Sequence, residues 1–205
     1  MSVSALTLIS PHSTWQQLHD AALECHACDL WRHGTQTVFG EGSTSARLVL
    51  VGEQPGNEED QAGHPFVGPA GRLLDRALEE AGIRRNDAYV TNVVKHFKWE
   101  PRGKRRIHMK PNTVEIVACL PWLRAELELV KPRALVCLGA TAAQALLGRS
   151  FRVTQHRGKF LDSPLAPRVM ATVHPSSILR ARDAEARHSE HARFVEDLKL
   201  VAREL

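Results

Sequence analysis

The sequence predicts an α/β fold, a three-layer sandwich in which a central, mostly parallel sheet is covered by helices on both faces. Two observations carry that expectation. Short β-branched apolar runs such as "ARLVLVG", "AYVTNVV", "RALVCLG" and "RVMATV" alternate with stretches of helical periodicity, the pattern of a parallel sheet buried on both sides. The chain also has 205 residues, 43% of them apolar, enough for one well-buried core. Residues 1–205 are therefore expected to form a single domain.

In chain order, a helix is expected from about Ser13 to Cys28 as a lid on the core. "ARLVLVGEQPG" is a buried strand running into a Gly/Pro turn, and "GRLLDRALEEAGI" is a helix with Gly82 as its stop. "AYVTNVVK" is a second strand, and "RGKRRIHMKP" a basic loop. A long helix follows from about Asn112 to Val130, with Asn112 as N-cap, Glu115 three residues on, and Pro121 expected to kink or restart it. After Pro132 come the strand "RALVCLG", the short helix "ATAAQALLG", a hairpin-like stretch around "FRVTQHRGKFL", the strand "RVMATVHP", and a polar helix to Leu205. No internal repeat or low-complexity tract is present.

Charge is concentrated in one place. Residues 95–110 hold Lys95, Lys98, Arg102, Lys104, Arg105, Arg106 and Lys110 against Glu100 alone, a local +6 in a chain whose total is +4, which leaves −2 for the rest. Such a cluster is either a solvated loop or the footprint of a phosphate-backbone binder. No run of about eighteen apolar residues exists, and no basic stretch precedes the short apolar patch at the start, so neither a membrane span nor a secretory signal is expected. A cytoplasmic location follows, where four cysteines serve as metal ligands, nucleophile or core residues rather than disulfides.

In a parallel sheet the functional residues belong just past the carboxyl ends of the strands. Three strand ends carry polar chemistry: "GEQPGNEED", "TNVVKHFK" and "VHPSS". These segments resemble the uracil-DNA glycosylase superfamily, and in particular its iron-sulfur branch. "GEQPGNEEDQAGHPFVGPAGRLLD" looks like that branch's first motif, "VTNVVK" its uracil-reading asparagine strand, and "ATVHPSS" its histidine motif, in the family's order. The loop "GKRRIH" resembles the insertion of the class called UdgX, whose members become covalently attached to uracil-containing DNA. The resemblance covers nearly the whole chain and implies a uracil-DNA glycosylase-like fold and a monomer acting on uracil in single-stranded as well as duplex DNA.

An enzyme acting on a base must take it out of the stack and read its edge. On the resemblance, Asn92 reads the uracil edge and Phe66 stacks on the flipped base. His174 donates to the oxyanion that develops on the departing uracil. Gln54, Gly56, Asp60, Arg106 and Ser176 border the substrate, while Lys104, Arg105 and Ser177 hold the DNA backbone. Taken alone, Asn92 reads as a strand-end cap and Phe66 as core. His108, inside the basic loop, is expected to attack the sugar carbon with Glu53 accepting a hydrogen bond from its other nitrogen, and Arg105 and Arg106 are expected to keep it unprotonated. The protein would excise uracil once and stay attached. Ordinary hydrolytic turnover, with Glu53 positioning water, and a non-catalytic iron-sulfur protein that binds nucleic acid are the alternatives.

Cys25 and Cys28 form a CxxC, and Cys119 lies on the helix after the basic loop. The resemblance assigns these three as ligands and places His96 where hydrolytic relatives carry a fourth cysteine. Three thiolates and one imidazole suit zinc or an iron-sulfur cluster; the resemblance favours [4Fe-4S]. Cys137, within "ALVCLG", is expected to be a small buried hydrophobe.

Overall fold

A computed structural model describes residues 5–205. Helix α1 (Trp15–Leu23) opens with a capping box between Thr14 and Gln17. It is shorter than expected: the chain leaves the helix at Glu24, so the CxxC lies in an irregular segment where Cys25 is buried against Trp122. Strand β1 (Leu48–Gly52) leads into α2 (Asn57–Ala62), a short helix the sequence reading did not contain, and then α3 (Pro69–Glu80). Strand β2 (Ala88–Asn92) follows.

The basic loop is not a loop. Strands β3 (Trp99–Arg102) and β4 (Arg105–His108) pair as an antiparallel hairpin, with Gly103 at φ +59° in the turn. Pro101 is tolerated because the ribbon has only two strands and both are edges. Helix α4 (Thr113–Val130) begins with the expected Asn112/Glu115 box, but Pro121 does not restart it. The buried face Cys119, Trp122, Leu123 and Leu127 holds the helix across the hydrogen bond that proline removes.

Strand β5 (Ala134–Leu138), α5 (Ala140–Leu147) and α6 (Val153–His156) come next. The expected hairpin around "FRVTQHRGKFL" is instead the single turn α6 followed by an edge strand, β6 (Phe160–Leu161), which pairs antiparallel with β7 (Arg168–Thr172). Helices α7 (Pro175–Leu179) and α8 (Ala184–Ala202) complete the chain.

The sheet order is β2-β1-β5-β7-β6, parallel except for β6. Alternation along the strands divides the core in two. Val49, Val51, Tyr89, Leu135, Cys137 and Ala171 face α1, α4 and α5, whereas Leu48, Leu50, Val90, Val136, Leu138 and Met170 face α3, α7 and α8. Cys137 is buried among apolar neighbours, as expected. Among the described residues no helix is long and apolar enough to cross a membrane.

Candidate active site

The carboxyl ends of β1, β2, β5 and β7 open into one cleft of about 840 Å³. Glu53, Gln54, Gly56, Phe66, Asn92, Arg106, His108, His174, Ser176 and Ser177 all line it; Asp60, Lys104 and Arg105 do not. The parallel register sets Gly52 beside Asn92. A Cβ at Gly52 would collide with Asn92 Oδ1 and the Phe66 ring, so these two side chains occupy the space over a bare backbone. Asn92 is 2% exposed, and its Oδ1 is buried without a hydrogen-bond partner. Such an atom is costly unless something fills the pocket. Phe66 holds φ +59°, in the left-handed region, with its carbonyl packed against Gly71 where no side chain could fit. Strain of this kind persists where surrounding packing enforces it; here it turns the ring to stack with His174 at 5.9 Å between centroids.

His174 lies two residues past β7 and caps α7. Its Nδ1 accepts the Ser176 backbone N–H at 3.1 Å and lies 2.8 Å from Ser176 Oγ. A backbone amide can only donate, so Nδ1 carries no proton and, in the neutral ring, Nε2 carries it. Burial, followed by the charge of Arg180, pulls the His174 pKa down to about 4. The residue is therefore a neutral hydrogen-bond donor at physiological pH. Ser176 N–H fixes the histidine tautomer, and Ser177 Oγ donates to the His174 carbonyl at 2.7 Å.

On the opposite wall His108 Nε2 lies 3.4 Å from Glu53 Oε1. The contact is longer than a formed hydrogen bond, as is common before a substrate is bound. Thr141 Oγ1 donates to Glu53 Oε2 and steadies the carboxylate from α5. Gln54 borders the cleft, but its amide is spent on the hairpin, donating to the carbonyls of Lys98 and Met109 and accepting from Lys98 N–H. Glu59, which sequence reasoning missed, accepts from the N–H groups of Gly68 (2.7 Å) and Gly56 (3.0 Å) and ties the two glycine turns together. An acidic residue three positions after a Gly N-cap was the available signal.

Arg106 and Asp60 form an anchor; Arg106 also lines the cleft, whereas Asp60 does not. Asp60 is fully buried; its Oδ2 accepts from Arg106 Nη1 at 2.6 Å, and Thr35 donates to both carboxylate oxygens. Arg106 Nε also donates to Asn57 Oδ1, and its guanidinium lies over Phe97 and Trp99. The pair bolts β4 to α2. Arg106 is thus ion-paired with Asp60 rather than an unpaired cation. The basic cluster thins in the same way: Lys95 is paired with Glu126 and Lys98 with Glu115, so the exposed positive charge is that of Arg102, Lys104, Arg105 and Lys110.

Cys25, Cys28, His96 and Cys119 line one internal cavity between α1, the segment after β2, and α4. Cys119 Sγ accepts the Lys95 N–H and Cys25 Sγ the Trp122 Nε1–H, each at 3.2 Å. Burial lowers the His96 pKa to about 4 and raises that of Cys119 to about 12. Among the described residues no group of three or more His, Cys, Asp or Glu converges closely enough to hold a single ion. The four donors border a space instead of meeting at a point. Soft thiolates receiving N–H bonds, with a neutral imidazole, are a donor set that fits an iron-sulfur cluster.

Comparison with known proteins agrees with this arrangement. The profile of the Uracil DNA glycosylase superfamily matches residues 39–199. A type-4 uracil-DNA glycosylase of Thermotoga maritima is 43% identical over 165 residues, covering 80% of this chain and 82% of the relative. Similar proteins of the same description are found in Pyrobaculum aerophilum (38% over 172 residues, 80% and 84% covered) and Archaeoglobus fulgidus (36% over 164 residues, 77% and 79%). With the matched span enclosing all three strand-end motifs and the cleft they build, the chain belongs to the uracil-DNA glycosylase superfamily.

Proposed function

We propose that this protein excises uracil from DNA and is captured covalently on the deoxyribose through His108, as in the UdgX class. One observation supports it above the rest: His108 stands at the cleft beside Glu53 on a hairpin bolted down by Arg106–Asp60, facing the cleft that holds Asn92 and His174. A flipped uracil enters the cleft beside Asn92, whose Oδ1 accepts its ring N–H, and Phe66 lines the pocket. The bond from C1′ to the base breaks with its electron pair going to uracil, and His174 Nε2–H donates to the oxyanion. The carboxylate of Glu53 stabilises the sugar cation and accepts from His108 Nε2–H, so Nδ1 presents its lone pair to C1′. As the new C–N bond forms, the Nε2 proton passes toward Glu53 and uracil takes up a proton from solvent. The N-glycosyl imidazole has no easy hydrolytic exit.

The same reading covers single- and double-stranded DNA, a monomer and a cytoplasmic setting. Lys104 and Arg105, at the exposed hairpin turn, hold the backbone. Cys25, Cys28, Cys119 and His96 hold a [4Fe-4S] cluster; donors spread around a cavity favour one ligand per iron over a single zinc, whose four ligands must lie about 2.0–2.3 Å from one point. When bound, the cluster staples the segment after α1 to β2 and α4. The deciding experiment incubates the protein with labelled uracil- and thymine-containing oligonucleotides and denatures in SDS. A stable adduct with uracil alone is expected. Free uracil with no adduct would leave the turnover reading, which the 50% exposure of the His108 side chain also accommodates; equal binding of both strands without base release would leave a binding protein.

A further inference from the structure

Lys95 and Glu126 are each 1% exposed and meet at 2.5 Å. An ammonium has three protons to donate, and Lys95 uses all of them, on Glu126 Oε2, Thr91 Oγ1 (2.6 Å) and the carbonyl of Asn92 (2.8 Å). Glu126 is equally satisfied, accepting from Gly40 N–H, Tyr89 OH and Thr91 Oγ1. Burying such a pair is rarely the most stable choice, because desolvation offsets the attraction and two apolar side chains of similar size do as well. Its effect is geometric. Since Asn92 Oδ1 has no partner, the amide is not held through its oxygen and takes its placement from the main chain behind it.

We propose that Lys95 is a positioning residue for Asn92: clamped by Glu126, its ammonium fixes the strand end from which the base-reading amide projects. The inference rests on the uracil-reading role of Asn92 given above. Lys95 also donates its backbone N–H to Cys119 Sγ, so one residue joins the wall of the cysteine-lined cavity to the floor of the cleft. Side-chain replacement leaves that backbone contact in place.

The test is the double variant Lys95→Met/Glu126→Leu, which removes both charges together. Its visible absorption and half-saturating concentration of uracil-containing DNA are expected to stay near those of the unaltered protein, while its melting temperature falls because Gly40 N–H, Tyr89 OH and Thr91 Oγ1 lose their acceptor. The rate constant for reaction with uracil at saturation is expected to fall by about 10²-fold, the effect of a misplacement near 1 Å. A saturating rate within twofold of the unaltered protein overturns the proposal, as does a loss confined to the half-saturating concentration. If the double variant does not fold, Glu126→Gln carries the same comparison, with a fall of about tenfold in the saturating rate expected and an unchanged rate overturning it. Should the unaltered protein itself be inert on uracil-containing DNA, the role of Asn92 fails first, and that result is seen before any variant is made.

Discussion

Asp60→Asn tests whether capture depends on the hairpin being bolted to α2. Asp60 receives Thr35 N–H at 2.9 Å, Thr35 Oγ1–H at 2.6 Å and Arg106 Nη1–H at 2.6 Å. Asparagine keeps one acceptor oxygen, so its NH₂ must face either Thr35 or the guanidinium, donor against donor. Losing one buried hydrogen bond to a charged group costs about 2 kcal/mol, which shifts the docked hairpin toward an undocked state by about thirtyfold. Adduct formation should fall by at most that factor. Base release should fall less, because Asn92 and His174 make no contact with Asp60, and water can take the place of His108 beside Glu53. The assay measures SDS-stable adduct and free uracil in the same reaction, so their ratio does not depend on the fraction of active protein. A rise in free uracil relative to adduct is expected. An unchanged ratio, with both products at the original rate or both lowered in proportion, would refute the reasoning.

His108→Ser should convert capture into hydrolysis, leaving free uracil and an abasic site with no cross-link; persistence of the adduct would identify another nucleophile. Asn92→Ala should abolish reaction with uracil while the salt-dependent affinity for DNA of any sequence, measured by titration, is retained. The purified protein should be brown with broad visible absorption that Cys119→Ala removes and His96→Cys keeps, whereas a colourless protein with stoichiometric zinc would contradict the cluster. His174 also makes stability pH-dependent: its folded pKa of about 4 lies below the unfolded value near 6.5, so only the unfolded chain takes up this proton between those limits. Stability should fall as pH drops through that window, by about 1.4 kcal/mol per unit from this residue, and denaturant titrations of His174→Gln should show a shallower slope.

The four parallel strands were legible because strands buried on both faces are written as continuous apolar runs, and the cleft followed from where those runs end. Glu53, Asn92 and His174 stand at those ends and were found. The hairpin was not, since Pro101 and a dense run of charge look like a loop, and the alternation that separates Arg106 and His108 from Arg105 and Ile107 has meaning only once a strand is assumed. Arg106 and Asp60 therefore read as separate residues bordering the substrate, not as a pair. They are 46 residues apart, and no local pattern links them. Lys95 was misread for the same reason: Glu126, which neutralises it, is 31 residues distant, although a lysine within the apolar "VVKHF" already hinted at burial. Glu59 and Thr141 act by holding other groups in place, a role that residue type alone does not announce.

The hairpin stands outside the sheet, and polar groups tie it to the body: Gln54 at its base, Trp99 Nε1–H on the His33 carbonyl, Arg106 on Asp60, Asn57 and Thr35, and His108 beside Glu53. Neither strand of it contributes to the two layers of the core. The ribbon could thus be removed or replaced with little risk to the folding of the body. The same separability offers a graft: a thermophilic relative given residues 99–109 together with Thr35, Asn57 and Asp60 would show whether the ribbon alone carries the proposed capture of uracil-containing DNA.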